Sequence, residues 1–206
     1  MAGIPALHRI TLEDLHDGLD DGKFSSVDLV NVYLARISEV NDVFRAVIEL
    51  NPDAVAIANE LDEERRAYGR QGYLFLCLCF VPNITLIQQR PLHGIPVLIK
   101  DNMVTLDKME SCAGSTVLLG ARPGKESRIV EVLRAAGAII LGKTNLTEWA
   151  GWRTWNNTSG WSARFGLTLG AYCENMKSGG SSSGAAVATT LGLAWAAIGS
   201  EVSCQV

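Results

Sequence analysis

Lys100 closes the run "IPVLIK", at the carboxyl end of what reads as a buried strand. Ligands and catalytic groups gather at that end of parallel sheets. A lysine there loses part of its hydration, which lowers its pKa and suits it to act as a neutral base. Strands also commonly end in a solvated lysine, and Asp101 beside it reads equally well as a simple ion-pair partner.

The second feature is Gly179-Gly180-Ser181-Ser182-Ser183-Gly184. Gly/Ser clusters usually make flexible linkers. This one runs directly into small helix-forming residues, which points to a tight, fixed turn. Gly179 and Gly184 have the spacing of a phosphate loop, but Ala185 and Ala186 stand where Lys and Ser/Thr belong, and no apolar strand precedes the cluster. A nucleotide-binding protein is therefore the third-ranked reading.

The elements that would carry these residues follow from composition and periodicity. The chain has 206 residues, 48% hydrophobic and 19% charged, enough for one domain with a sizeable core. A net charge of −4 without any basic run argues against a nucleic-acid partner. The five cysteines (Cys77, Cys79, Cys112, Cys173 and Cys204) have neither zinc spacing nor an even disulfide framework, and read as reduced thiols of a cytosolic protein. The N-terminus "MAGIPALHRITLEDL" carries no signal-peptide pattern, so a cytoplasmic location is expected. The glycosylation-type matches at Asn145, Asn156 and Asn157 are then chance matches.

Thr11 opens "TLEDLHDGLDDG" with leucines at helical spacing. Ser26 is expected to cap "VDLVNVYLARISEV", and Asn51-Pro52 to start the helix "DAVAIANELDEERRAY", so the first third reads as helical. Then "IPVLIKDN", "AIILGKTN" and "AAIGSE" read as strands, and "KESRIVEVLRAAG" and "SSGAAVATTLGLAW" as helices, around an irregular stretch from 151 to 180. That order implies an α/β fold with a largely parallel sheet. One segment breaks the pattern. Gly72 to Gln89 holds nine consecutive apolar or aromatic residues, Tyr73 to Val81, before Pro82. A membrane span needs about twenty. A buried strand is one reading of it.

Three stretches together, "PLHGIPVLIKDN", "GKTNLTEWAGWRTWNNTSGWSARFG" and "GGSSSGAAVATTLGLAWAAIGSE", resemble the amidase signature family, with the nearest likeness to its fungal members. "SSVDLVNVYLARI" and "FRAVIELNPDAVAIANELDEER" resemble its leading helices. The resemblance implies an α/β/α sandwich around a mixed, largely parallel sheet, of which this chain carries the N-terminal part with the leading helices. It implies hydrolysis or transfer at carboxylic amide C–N bonds, with no metal and no organic cofactor, on a small-molecule amide substrate and without a membrane. A glutamyl-tRNA amidotransferase component would be a subclass needing partner proteins. The implied machinery is a serine nucleophile, a bridging serine in a cis peptide, matched by Ser181, and a lysine, matched by Lys100. A neutral lysine takes the nucleophile's proton through the bridging hydroxyl and returns it to the leaving nitrogen, a serine–lysine variant of triad logic.

The chain departs from that pattern at its last residues. The family nucleophile follows a G-[ST]-[DE]-x-x-G-S stretch, here Gly199-Ser200-Glu201-Val202-Ser203-Cys204-Gln205. Gln205 falls at the nucleophile and Cys204 at the preceding glycine, so the oxyanion-hole region, Val202 to Cys204, also differs. Val202-Ser203 can be encoded by GTAAGT, an intron-start consensus, and Gly72 to Gln89 can begin and end in intron-like codons. Both segments are accordingly read as translated introns, with a natural insertion and natural truncation as the alternative. The expected organisation is an incomplete amidase domain: a helical part over 1–71, an insertion over 72–89, an α/β core over 90–201 and a non-family tail over 202–206. The expected function is that of an amidase lacking its nucleophile and inactive as given; a non-catalytic family fragment is the runner-up.

Overall fold

A computed structural model describes residues 4, 6–69, 90–152 and 158–201. The expected insertion at 72–89, the tail with Val202, Ser203, Cys204 and Gln205, and the sequence matches at Asn156 and Asn157 lie outside the described residues.

Helix α1 (Leu12–Asp20) begins where expected. The Thr11 hydroxyl accepts from the Asp14 N–H, and the Asp14 carboxylate accepts from the Thr11 N–H, a reciprocal cap. Helix α2 (Ser26–Phe44) is capped one residue earlier than the sequence suggests. Ser25, not Ser26, exchanges bonds with Asp28, while the Ser26 N–H goes to Asp62 Oδ1 at 2.8 Å. The pairing works because Ser25 stands three residues before an acid, the spacing of a capping box.

The first third is not wholly helical. Strand β1 (Val47–Leu50) lies between α2 and α3 (Ala54–Tyr68). The Asn41 side chain turns the chain there: Oδ1 accepts from the Ala46 and Val47 N–H groups, and Nδ2 donates to the Val47 carbonyl. Asn51 and Pro52 then form a turn rather than the helix start. Asn51 Oδ1 takes the Asp53 N–H and its Nδ2 reaches the Ile140 carbonyl, so the helix opens at Ala54.

Beyond residue 90 the order is β2 (Pro96–Lys100), α4 (Arg128–Ala135), β3 (Ile139–Thr144), a hairpin of β4 (Trp161–Ser162) and β5 (Gly166–Leu167), α5 (Ser183–Thr190) and β6 (Ala196–Ile198). The sheet runs β1-β3-β2-β6. β2 is parallel to β3 and to β6, and β1 is antiparallel to β3. The described fold is thus α/β with a mixed, mostly parallel sheet. α5 is shorter than its apolar run suggests, because Gly192 takes φ +66° and turns the chain toward β6.

Alternation along β2 sorts the layers. Leu98 faces α2, α3 and α5, packing with Tyr33, Ala58 and Val187. Val97 and Ile99 face α4, packing with Val130 and Leu133. Lys100 has the parity of Leu98, and Asp101 that of Ile99, so the two adjacent charges leave the sheet on opposite faces. Asn145 is fully buried, its Nδ2 bonded to Thr168 Oγ1 and its Oδ1 to the Ser162 hydroxyl. No described helix is long and apolar enough to cross a membrane.

The start of α5 touches the sheet through a residue without a side chain. A Cβ on Gly184 would overlap the Ala46 carbonyl and the Asn145 backbone, neither of which can swing aside. Gly184→Ala is therefore expected to cost about 1–3 kcal/mol, read as a lower urea midpoint at unchanged m-value. An unchanged midpoint would show that α5 can slide away from the sheet.

Candidate active site

The carboxyl end of β2 delivers a fully buried amine. Lys100 is 0% exposed, yet its Nζ is surrounded by oxygen: Ser181 Oγ at 2.7 Å, Ser182 Oγ at 2.9 Å and the Ser200 carbonyl at 3.1 Å. Each partner comes from the turns around α5 and β6. The Gly180–Ser181 peptide is cis. The Thr147 N–H donates to the Ser181 carbonyl at 3.0 Å, and Thr147 Oγ1 accepts from the Gly160 N–H at 2.8 Å, so the strand-end loop after β3 holds the turn from below.

Proton counting separates the roles of the two serines. The Ser182 hydroxyl donates to the Ser200 carbonyl at 3.1 Å and accepts from the Ser200 N–H at 3.1 Å. Its proton is committed. The Ser200 carbonyl can only accept. A neutral amine has two N–H groups and one lone pair, so with both N–H groups on Ser182 and Ser200, the lone pair faces Ser181. Ser181 is then the hydroxyl that can pass a proton into Nζ. It is also only half-buried, so the residue keeps some access to solvent.

Burial pulls the Lys100 amine from its ordinary 10.5 down to about 8, against a smaller upward pull from the Glu201 carboxylate. Near neutral pH this amine is within reach of both protonation states, as a general base requires. Lys143, one strand over on β3, is also fully buried, but its Nζ donates to the Met103 carbonyl at 2.6 Å and the Ser111 hydroxyl at 3.0 Å on the other face of the sheet. Asp101 accepts from the Gly114 N–H at 2.8 Å and does not meet the Lys100 amine; burial raises its pKa, opposed by that bond and by Lys143 and Arg164.

The two sequence candidates inside the described residues, Lys100 and Ser181, meet although 81 residues separate them. Sequence reasoning missed Ser182, Ser200 and Thr147. Ser182 was concealed by sitting in a run of three serines, and Ser200 acts mainly through its backbone, which no residue type announces.

A buried lysine thus meets a serine of a Gly/Ser turn at the strand ends of a mixed α/β sheet. The amidase family profile matches residues 84–204, and the chain belongs to that family, the amidase signature family. It is 41% identical over 221 aligned positions to an Arthroderma benhamiae protein named "Putative amidase", covering 97% of this chain and 34% of that protein. It is 32% identical to a glutamyl-tRNA(Gln) amidotransferase subunit from Chloroflexus aurantiacus, covering 95% of this chain and 35% of that one. Among solved structures, the native peptide amidase of Stenotrophomonas maltophilia superposes with a TM-score of 0.78 at 42% identity, over 90% of this chain and 35% of that one. The chain thus spans about a third of the length of these relatives.

Because the folded pKa of Lys100 lies below its unfolded value, the unfolded chain binds more protons between about pH 8 and 10.5. The cost of burying the charged amine is fully present below pH 8, and this group's contribution to stability improves as pH rises through that window. Lys143 is shifted in the same direction, so the difference between proteins isolates Lys100. Urea unfolding at pH 7.5 and 9.5 is expected to show a smaller gain with pH in Lys100→Met than in the parent. Equal gains would mean the amine is solvated.

Proposed function

We propose that the protein is built as a hydrolase of carboxylic amide C–N bonds, acting on a small-molecule amide in the cytoplasm without nucleic acid. Lys100 is the base, Ser181 the bridging hydroxyl, and the nucleophile belongs at position 205. The observation that carries this reading is the Lys100 Nζ to Ser181 Oγ contact at 2.7 Å, with the other amine partners already satisfied. In the proposed cycle neutral Nζ accepts the Ser181 proton while Ser181 Oγ accepts the nucleophile's proton, and the relay reverses to protonate the leaving amine.

The same reading makes this chain catalytically incomplete. Gln205 holds no hydroxyl, and Cys204 replaces the glycine of the oxyanion hole. Gln205 equally favours the second reading, a non-catalytic member of the family. The proposed organisation is one incomplete amidase domain, with 1–71 as its helical part, 90–201 as its α/β core, and 72–89 and 202–206 as translated introns; sequencing the transcript across both segments tests this. Intact intron-free boundaries would overturn it.

Loss of a serine nucleophile costs on the order of a millionfold in turnover. The 206-residue chain is expected to show no hydrolysis of simple amides and no labelling by a fluorophosphonate serine probe. A form extended to the length of its relatives, with Cys204→Gly and Gln205→Ser, should show both, and Lys100→Ala or Ser181→Ala should then abolish them. Robust amide hydrolysis by the 206-residue chain would refute the register assigned to Gln205.

A further inference from the structure

Arg164 sits in the β4–β5 hairpin, away from the lysine and the serine turn, and its side chain is only 14% exposed. Its Nη2 donates to the Glu49 carboxylate on β1, and its Nη1 lies 3.6 Å from Asp101 Oδ1, with Asp101 fully buried. Its own backbone N–H donates to the Gly114 carbonyl at 3.0 Å, while the Gly114 N–H donates to Asp101 Oδ2 at 2.8 Å. The guanidinium and the 112–114 loop thus enclose Asp101, the residue peptide-bonded to Lys100.

The same hairpin reaches the other half of the pair. The Ser162 hydroxyl donates to Asn145 Oδ1 at 2.7 Å, and Ala163 N–H donates to the Glu148 carboxylate at 2.8 Å. Gly160, just before β4, donates to Thr147 Oγ1, and Thr147 donates to the Ser181 carbonyl. One hairpin therefore touches the support of Lys100 on one side and the support of Ser181 on the other. We propose that Arg164 is a positioning residue, an ionic strap through Asp101 that sets the separation of the Lys100 amine and the Ser181 hydroxyl.

This inference rests on Lys100 and Ser181 being the proton-transfer pair. Its consequence is visible without turnover, in the titration of the amine. Lys100 is held dry by its enclosure, and the groups facing it are Ser181, Ser182, the Ser200 carbonyl and the Glu201 carboxylate. A slack strap admits water, and the amine then titrates higher.

The test is NMR of labelled lysine side chains on the 206-residue chain, with the Lys100 signal assigned by its loss in Lys100→Met. Asp101→Asn keeps the shape and the acceptor for Gly114 but cuts the ionic tie. Removing a nearby anion by itself would lower the pKa of an ammonium group, whereas a loosened strap raises it, so the sign decides. The expected result is a rise of about one unit or more in Asp101→Asn; loss of the Arg164 cation raises the amine's pKa by itself, so the anion-removing variant decides. An unchanged or lowered Lys100 titration in folded Asp101→Asn overturns the strap. Glu49→Gln, which slackens the other anchor of the guanidinium and likewise removes an anion, is read by the same criterion if Asp101→Asn does not fold. Failure of the extended Gln205→Ser protein to hydrolyse amides would instead defeat the functional reading, and leaves the titration result standing by itself.

Discussion

The structure depends on keeping one amine out of water while surrounding it with oxygen. Lys100 has the position of a core residue, with Leu98 and Ile99 before it in a strand buried along its whole length. An ammonium group there without partners would be untenable. Three oxygens from two turns make it tolerable, and those turns are fixed by the packing of α5 and β6 on the sheet. The same dryness that makes the lysine a burden to folding holds its pKa near the range where a base is useful.

That requirement explains features that otherwise look unrelated. Gly184 must lack a side chain so that α5 can start against the Asn145 backbone and point the serine turn at the strand end. Thr147 spends its N–H on the Ser181 carbonyl and its hydroxyl on Gly160, tying the turn to the loop after β3. Asp101 and Lys100 diverge to opposite faces, so a charge cluster of Asp101, Arg164, Glu49 and Lys143 lies across the sheet from the serines rather than among them. Ser181 itself stays only half-buried.

Much of this was legible in the residues. "IPVLIK" announced a buried strand ending in lysine, and the Gly/Ser run announced a constrained turn before a small-residue helix. The meeting of the two was implied only by resemblance to a family, since no local signal links residues 81 apart. β1 was missed because "VIEL" is four residues between two long helices, and its identity as a strand is decided by Asn41 and by pairing with β3, both tertiary. The Ser25 cap was within reach, since Asp28 stands at capping-box distance from Ser25 and not from Ser26. Arg164 carried no sequence signal, being one arginine in an irregular, tryptophan-rich stretch.

The order in which the partners of Lys100 appear along the chain has a consequence for how the protein is made. Synthesis produces β2 and its lysine first, whereas Ser181, Ser182 and Ser200 follow 81, 82 and 100 residues later. At roughly 5–20 residues per second, that interval is several seconds or more. During it, the Lys100 side chain at the end of β2 has only water to receive it. Burying the amine before those oxygens are in place would carry the full cost of desolvating an unpaired charge. Contacts this far apart in sequence are also slow to close, which places the burial of Lys100 late in assembly.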